Sequence, residues 1–394
     1  MRTRHFPGTH RTRPPAETWE AIRPLLPAYG ITRVADVTGL DDLGIPVTMA
    51  VRPLGRTLSV AQGKGLTLAA ARVSGAMEGI EVWHAERALP APMAHAPAAD
   101  LDLPYPVAAL EPHPGSLVTD HTVMEWITAT ALTDHRPVPV PAASVRLGRQ
   151  EHSTWRLHLP SASTNGLASG NTRAEAIVHA LYELIERETV SNLATGAAGA
   201  GAQRLDAASI CDPHLAELVD RLERAGCWHE LWHLPNSFGV PVMCCYLWRE
   251  DIPALQAAGS GAHLDASVAL ARAITEAAQT RLTQITGSRE DIHPAAYRPG
   301  ASVGQPQHAG PAPVAWAHAV SHHRGRFDDD EQEAAHLSDV VAARTGAAPL
   351  AVDLTHGPWQ REDLAVIKVL APHLRYTARH VIPHPHTAGR EQAA

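Results

Sequence analysis

Cysteine is scarce and poorly spaced for chemistry. The four thiols, Cys211, Cys227, Cys244 and Cys245, form no C-x-x-C pair, the spacing that structural zinc sites and redox dithiols use. Two adjacent cysteines rarely bridge, so all four are read as reduced thiols of a cytoplasmic protein. No uninterrupted apolar stretch reaches the roughly 20 residues a membrane helix needs. The N-terminal MRTRHFPGTHRTRPP carries arginines with no apolar segment after them, which argues against a secretory signal. Positive charge is in deficit as well: 33 Lys and Arg stand against 41 Asp and Glu, a net charge of −8. That balance argues against nucleic acid or an anionic membrane as the main partner. No G-x-x-x-x-G-K-[ST] run is present, so a Walker loop is excluded. What remains is a chain of 394 residues, 45% apolar and 19% charged, long enough for a sizeable core.

What is present is carboxylate in a pattern. Residues 161–190, SASTNGLASGNTRAEAIVHALYELIERETV, run from a Gly- and hydroxyl-rich stretch into a helix. At 3.6 residues per turn Glu175, His179, Glu183 and Glu186 share one side, and Ile177, Leu181 and Leu184 lie roughly opposite. Like charges crowded on one face cost energy unless something cationic sits over them. A glycine-rich turn before a helix presents backbone N–H groups to an anion. The pattern therefore points to a metal–nucleotide site.

The theme recurs twice. The segment SVAQGKG precedes a helix expected over about 66–88, in which Ser74, Glu78 and Glu81 are spaced i, i+4, i+7. A Gly-containing loop at 259–261 precedes a helix in which Arg272, Glu276 and Gln279 have the same spacing. One E-x-x-E pair on a helix is commonly a solvated face. Two of them, Glu78–Glu81 and Glu183–Glu186, facing each other across a cleft would bind Mg²⁺ through hard oxygen ligands. Arg187, Lys64 and an N-terminal arginine are placed to reach phosphate, and Asn171 and Thr172 to cap the helix start.

Elsewhere the sequence predicts strands over 31–60 and in VMEWITATAL, an edge strand or linker in VPVPAASVRL, and an amphipathic helix over 205–225. A hairpin is expected over 228–250 with its turn near PNSFG. A helix at 331–345 and two buried strands, AAPLAVDLT and LAVIKVLAPHL, follow. The His322–His323 region is weighed as a metal-binding tract and read instead as a loop.

The stretch SxNGLAxGxxxxEAxxHALxELIER, Ser163 to Arg187, resembles the signature of the YcaO superfamily. SGAMEGIE and ARAITEAAQTRL resemble its other two helices. GITRVADVTGLDDLGIPV, AVRP and SVAQGKG are similar to members encoded beside TfuA partners. The resemblance covers about residues 9–300 and implies a single layered α/β domain over 1–394, with mixed and antiparallel sheets flanked by helices around an ATP site. Residues 301–394 form its C-terminal part.

It also implies ATP and Mg²⁺ as cofactors and phosphorylation of a backbone amide oxygen in a substrate peptide. Attack by a neighbouring Cys, Ser or Thr gives an azoline; attack by sulfide gives a thioamide. Carried over, Glu78, Glu81, Glu183 and Glu186 hold metal. Arg13 (chosen over Arg11), Lys64, Ser74, Asn171, Glu175, Arg187 and Gln279 contact nucleotide. Arg187, Gln279 and Arg281 are the expected catalytic residues. Pro383 and Pro385 give one Pro-x-Pro with nine residues after it, unlike the Pro-x-Pro-x-Pro terminus usual in azoline-forming members. Thioamide formation is therefore expected over the cyclodehydratase reading, with a TfuA-like or other peptide-recognition partner. A non-catalytic nucleotide-binding accessory protein is the third reading, and a homodimer is expected from the resemblance alone.

Overall fold

The computed structural model describes residues 4–87, 89–110, 116–148, 163–194, 201–249, 256–289, 311–321, 327–355, 364–376 and 382–385. The elements in chain order are β1 (Arg4–Phe6), β2 (Thr9–Arg11), α1 (Pro15–Ile22), β3 (Arg33–Asp36), β4 (Val47–Val51), β5 (Val60–Lys64) and α2 (Leu68–Arg87). Then follow β6 (Ala94–Pro97), β7 (Val123–Ala131), β8 (Pro137–Pro141), β9 (Leu167–Gly170), α3 (Arg173–Ala194), β10 (Gln203–Asp206), α4 (Pro213–Arg224), β11 (Trp228–Leu234), β12 (Val242–Trp248), β13 (Ala257–Ala262) and α5 (Ala266–Thr286). The chain closes with β14 (Val314–Ala315), α6 (Trp316–Ala319), α7 (Asp330–Thr345), β15 (Leu350–Asp353) and β16 (Ala365–Leu370).

Besides the β1–β2 ribbon, the strands form sheets ordered β3-β4-β5, β6-β7-β15-β16-β9 with β8 also on β7, and β13-β12-β11-β10-β14. Every pairing is antiparallel except β10 with β14. The layers follow from which faces are apolar. β12 (VMCCYLW) is buried at all but its last residue, because it lies between β11 and β13 with helices on both faces. Its Val242, Cys244 and Tyr246 join a core with α3, α7 and the six-stranded sheet. Its Met243, Cys245 and Leu247 face α4 and α5. On the far side of the six-stranded sheet, α2 packs with β4, β5, β7 and β15. The expected α/β layering is thus present, with α3 sandwiched between two sheets. All four cysteines are free thiols. Among the described residues no helix is long and apolar enough to cross a membrane. His322 and His323 lie outside the described residues.

Helix ends obey local rules. In α4, Asp212 caps the amides of His214 and Leu215, and Pro213 occupies the first turn. Its buried Leu215, Leu218, Val219 and Leu222 are the apolar stripe read in the sequence, shorter than the 205–225 expected. In α5, Asp265 caps Ser267, and Gly287, in the left-handed region at φ 56°, stops the helix.

The glycine-rich segments are not loops. Gln62–Gly63–Lys64 lies in β5, Leu167–Gly170 is β9, and Gly259–Gly261 lies in β13. Each strand turns through a short link into its helix, which doubles back over it. Glycine is what permits this approach. A Cβ on Gly63 would overlap the Ala71 carbonyl and the Gly75 amide, and one on Gly261 would overlap the Ala269 carbonyl. Both obstacles are backbone, so relief requires the helix to move. Gly63→Ala is therefore expected to destabilise the chain by about 2–3 kcal/mol in denaturant unfolding. Gly39→Ala, where a Cβ meets nothing within 4 Å, is the matched control and is expected to be silent. Equal stability of the two variants would contradict this role for Gly63.

Candidate functional site

The three strand–helix units converge. α2 packs on its own strand β5 and on β9; α3 packs on β9 and β13; α5 packs on β13 and β5. β5, β9 and β13 are each the edge strand of a different sheet, so the helices close a ring over three sheet edges. Their polar faces point into it.

Hydrogen bonds fix the carboxylates there. Glu78 Oε2 accepts from the Gln62 N–H at 3.1 Å. Glu81 Oε1 accepts from the Ser169 N–H at 2.8 Å and from its hydroxyl at 2.5 Å. Glu183 Oε2 accepts from the Gly166 N–H at 3.2 Å. Glu186, only 2% exposed, accepts from the Ser260 hydroxyl at 2.6 Å. Glu276 accepts from Lys64 Nζ at 2.6 Å.

The electrostatics follow from burial and crowding. Burial, together with Glu78 and Glu183, pushes the Glu81 carboxyl up to about 8. Burial raises Glu78 and Glu183 as well, against the pull of Arg289 and Arg187 respectively. For Arg187 burial opposes the charge, yet Glu186, Glu183, Glu276 and Glu78 outweigh it and raise the guanidinium above its usual value. Arg187 Nε is 3.8 Å from Glu183 and has no hydrogen-bond partner although buried. For Glu276 burial is outweighed by Lys64 and Arg187, which hold the carboxyl below its usual range.

Beside the carboxylates lies a small pocket lined by His10, Arg11, Glu175, His179, Tyr182, His263, Arg272 and Glu333 among others. Arg11 and Arg272 approach the two ring nitrogens of His179 at 3.4 and 3.3 Å. Burial and both guanidiniums hold that imidazole well below its usual pKa, hence neutral.

The expected residues divide into groups. Glu78, Glu81, Glu183, Glu186 and Arg187 are brought together. Ser74 lies one turn before Glu78 on the same face of α2, and Gln279 one turn after Glu276 on α5. Lys64 is present through its bond to Glu276. Asn171 and Glu175 are committed to each other and to the N-terminal segment. Asn171 Nδ2 donates to Glu175 at 3.0 Å and its Oδ1 accepts from Thr18 at 2.8 Å. Glu175 further accepts from the Thr12 amide at 2.9 Å and hydroxyl at 2.7 Å. Thr172 caps α3 through the Glu175 amide. The N-terminal arginine on this carboxylate is Arg11, at 3.5 Å, rather than Arg13. Arg281 is turned away from the ring: two residues past Gln279 it faces the other side of α5. There it pairs with Asp41 at 2.8 Å, both about 3–4% exposed, so its place is a buried structural ion pair.

Three residues outside the expected set also serve the site. Glu276 was visible on the polar face of α5, but it breaks the E-x-x-E pattern because its partner is Gln279. Ser260 was hidden by reading 259–261 as a loop. Lys368, 2% exposed in β16, donates to the carbonyls of Ser163 and Asn165 at 2.5 and 2.6 Å. It thereby holds the turn that offers the Gly166 amide to Glu183, and nothing in the apolar run LAVIKVL signalled it.

The donor set suits a hard divalent cation: oxygen ligands, burial and mutual repulsion that a positive charge relieves. Among the described residues no group of three or more His, Cys, Asp or Glu side chains is gathered closely enough to hold a metal ion; Glu78, Glu81, Glu183 and Glu186 lie within electrostatic reach of one another instead.

Comparison with known proteins agrees. The family model described as "YcaO cyclodehydratase, ATP-ad Mg2+-binding" matches residues 62–375. An uncharacterised protein of Mycobacterium tuberculosis is 38% identical over 374 residues, covering 94% of this chain and 83% of that one. An uncharacterised protein of Rhizobium leguminosarum bv. trifolii, named for its position in the tfuA 3' region, is 37% identical over 300 residues (72% of this chain, 69% of that one). In fold, the YcaO structure from Methanopyrus kandleri bound with AMPPCP and Mg²⁺ superposes with a TM-score of 0.71 at 23% identity, covering 98% of this chain and 100% of that one. With its three helices closing over three sheet edges and this family match across most of its length, the chain belongs to the YcaO family, which is ATP- and Mg²⁺-binding.

Proposed function

We propose that this protein uses ATP to phosphorylate a backbone amide oxygen of a ribosomally made peptide or protein, and that with a TfuA-like partner the product is a thioamide. The observation that carries the reading is the approach of Glu78–Glu81 and Glu183–Glu186, from helices about a hundred residues apart, within one part-buried site beside Arg187. When bound, Mg²⁺–ATP supplies the phosphoryl group that turns the amide oxygen into a leaving group, which an external sulfide then replaces. The four glutamates hold the metal. Arg187, with its unpartnered Nε, neutralises phosphate charge, joined by Lys64 and an N-terminal arginine, for which Arg11 is the better placed. Ser74 and Gln279 complete the nucleotide-facing surface, and Asn171 with Glu175 fastens the N-terminal strap over it. Positioning and charge stabilisation carry phosphoryl transfer, so no separate strong base is required.

The relative beside tfuA supports the thioamide product. In the tail, Pro383 and His384 are docked on β11 and β12, with the Pro383 carbonyl accepting from Tyr246 at 2.8 Å and His384 meeting Glu230 at 2.8 Å. The cyclodehydratase description of the family favours the second reading, an azoline. Mass spectrometry of a co-expressed peptide separates them: exchange of oxygen for sulfur is expected, and loss of water would select the azoline.

Glu78→Gln and Glu186→Gln are each expected to lower ATP turnover at least ~100-fold while the melting temperature stays near wild type. Normal turnover by either variant would refute the metal assignment.

The raised carboxyls also set a pH dependence. A carboxyl with a folded pKa near 8 keeps a proton that the unfolded chain releases near its ordinary value, 4.5. Folding stability without metal is therefore expected to fall as pH rises from about 5 to 8. Glu81→Gln should flatten that slope and stabilise the metal-free chain at pH 8 by an amount on the order of 1 kcal/mol. Mg²⁺ with a nucleotide analogue should stabilise the wild type more at pH 8 than at pH 6. A metal-free melting temperature that rises over this range, or an unchanged slope in Glu81→Gln, would contradict the assignment.

A further inference from the structure

The three units are alike in sequence spacing, and the third differs in carrying Gln279, in making its cross-strand bond from Glu276 of the middle tier, and in the donor that carboxylate meets. Glu78, Glu183 and Glu276 stand at the same sequence distance after Gly63, Ala168 and Gly261 of the strands beneath them. One turn earlier come Ser74, His179 and Arg272; one turn later come Glu81, Glu186 and Gln279. These form three tiers around the ring, and the bond between His179 and Arg272 lies within the first tier. In each unit a carboxylate of the helix reaches across to the next sheet's edge strand: Glu81 to Ser169 of β9, Glu186 to Ser260 of β13, Glu276 to Lys64 of β5.

The first two cross-strand donors are neutral hydroxyls, and the helices behind them carry complete E-x-x-E pairs. In the third unit the donor is an ammonium, and the pair is Glu276-x-x-Gln279. Two positions thus retain two carboxylates each, which a divalent cation would neutralise, with the Arg187 guanidinium 3.8 Å from Glu183 at the second. The third has lost one carboxylate, and an ammonium is hydrogen-bonded directly to the one that remains. Glu276 and Lys64 both lie within electrostatic reach of Glu78, so the third position belongs to the same ring of charge. Resting on the metal–nucleotide reading above, we propose that Lys64 is the built-in cation of the third position: its ammonium neutralises Glu276 as a divalent ion would neutralise the paired carboxylates of the other two, and so limits how many divalent ions the ring accepts.

The test is the number of Mn²⁺ ions bound per chain in the presence of AMPPCP, counted by electron paramagnetic resonance and calorimetry. Lys64→Met is expected to bind one more Mn²⁺ than wild type, and Lys64→Met/Glu276→Gln to return to the wild-type number. Lys64→Arg, which keeps the charge, should match wild type. An unchanged count and affinity in Lys64→Met would overturn the proposal. Glu276→Gln offers a second route if Lys64→Met does not fold. It frees the ammonium beside Glu78, and Mn²⁺ affinity should fall several-fold; unchanged affinity there also overturns the proposal. Wild-type protein that takes up no Mn²⁺ with AMPPCP would instead strike the metal–nucleotide reading itself.

Discussion

Buried like charges have to be held apart from solvent and close to each other by something stronger than their repulsion. In this protein that restraint is the packing of three helices onto three sheet edges. Each helix leans on its own strand through glycine or alanine contacts and on a neighbouring strand through one carboxylate hydrogen bond. The apolar faces of α2, α3 and α5 are buried in separate cores, so no helix can rotate to relieve its glutamates without exposing leucine or isoleucine. The repulsion therefore persists in the folded chain and is available to bind a cation.

Two buried ion pairs support the frame without entering the site. Arg281–Asp41 ties α5 to the turn before β4, and Arg52–Glu86 ties β4's end to the end of α2 at 2.7 Å. Removing one partner of such a pair leaves an uncompensated charge, typically a loss of about 3–5 kcal/mol. They flank the carboxylate ring on its structural side. On the other side Glu175 gathers the N-terminal strap through Thr12 and Arg11, so the short N-terminal strands are held by the helix that carries Glu183 and Glu186.

Much of this was legible because helices announce themselves by period. α2 was expected over 66–88 and spans Leu68–Arg87; α7 was expected over 331–345 and spans Asp330–Thr345. The i, i+4, i+7 tiers gave the polar faces directly. The strands β5, β9 and β13 were missed for a physical reason. Glycine weakens a strand's local signal, and here it is present for a tertiary cause, the close passage of a helix, that no local pattern records. Arg281 pairs with Asp41 on the other side of α5, and adjacency to a motif says nothing about which side of a helix a residue faces. Lys368 resembles any lysine in an apolar run until the two carbonyls it clamps are seen.

The ring also orders events in time. Its three glutamate helices are separated in sequence by long stretches of sheet-forming chain, and its last member, α5, ends at Thr286. Contacts between segments so distant form late, since loop closure precedes any reward from packing. On a ribosome, α2 and α3 emerge well before the strand β13 that receives Glu186 and the helix that supplies Glu276. Until then their carboxylates face water, where they repel little and bind metal weakly. The carboxylate ring is thus a late product of folding, and a chain interrupted before α5 carries every glutamate of the two E-x-x-E pairs yet lacks the helix and strand that enclose them.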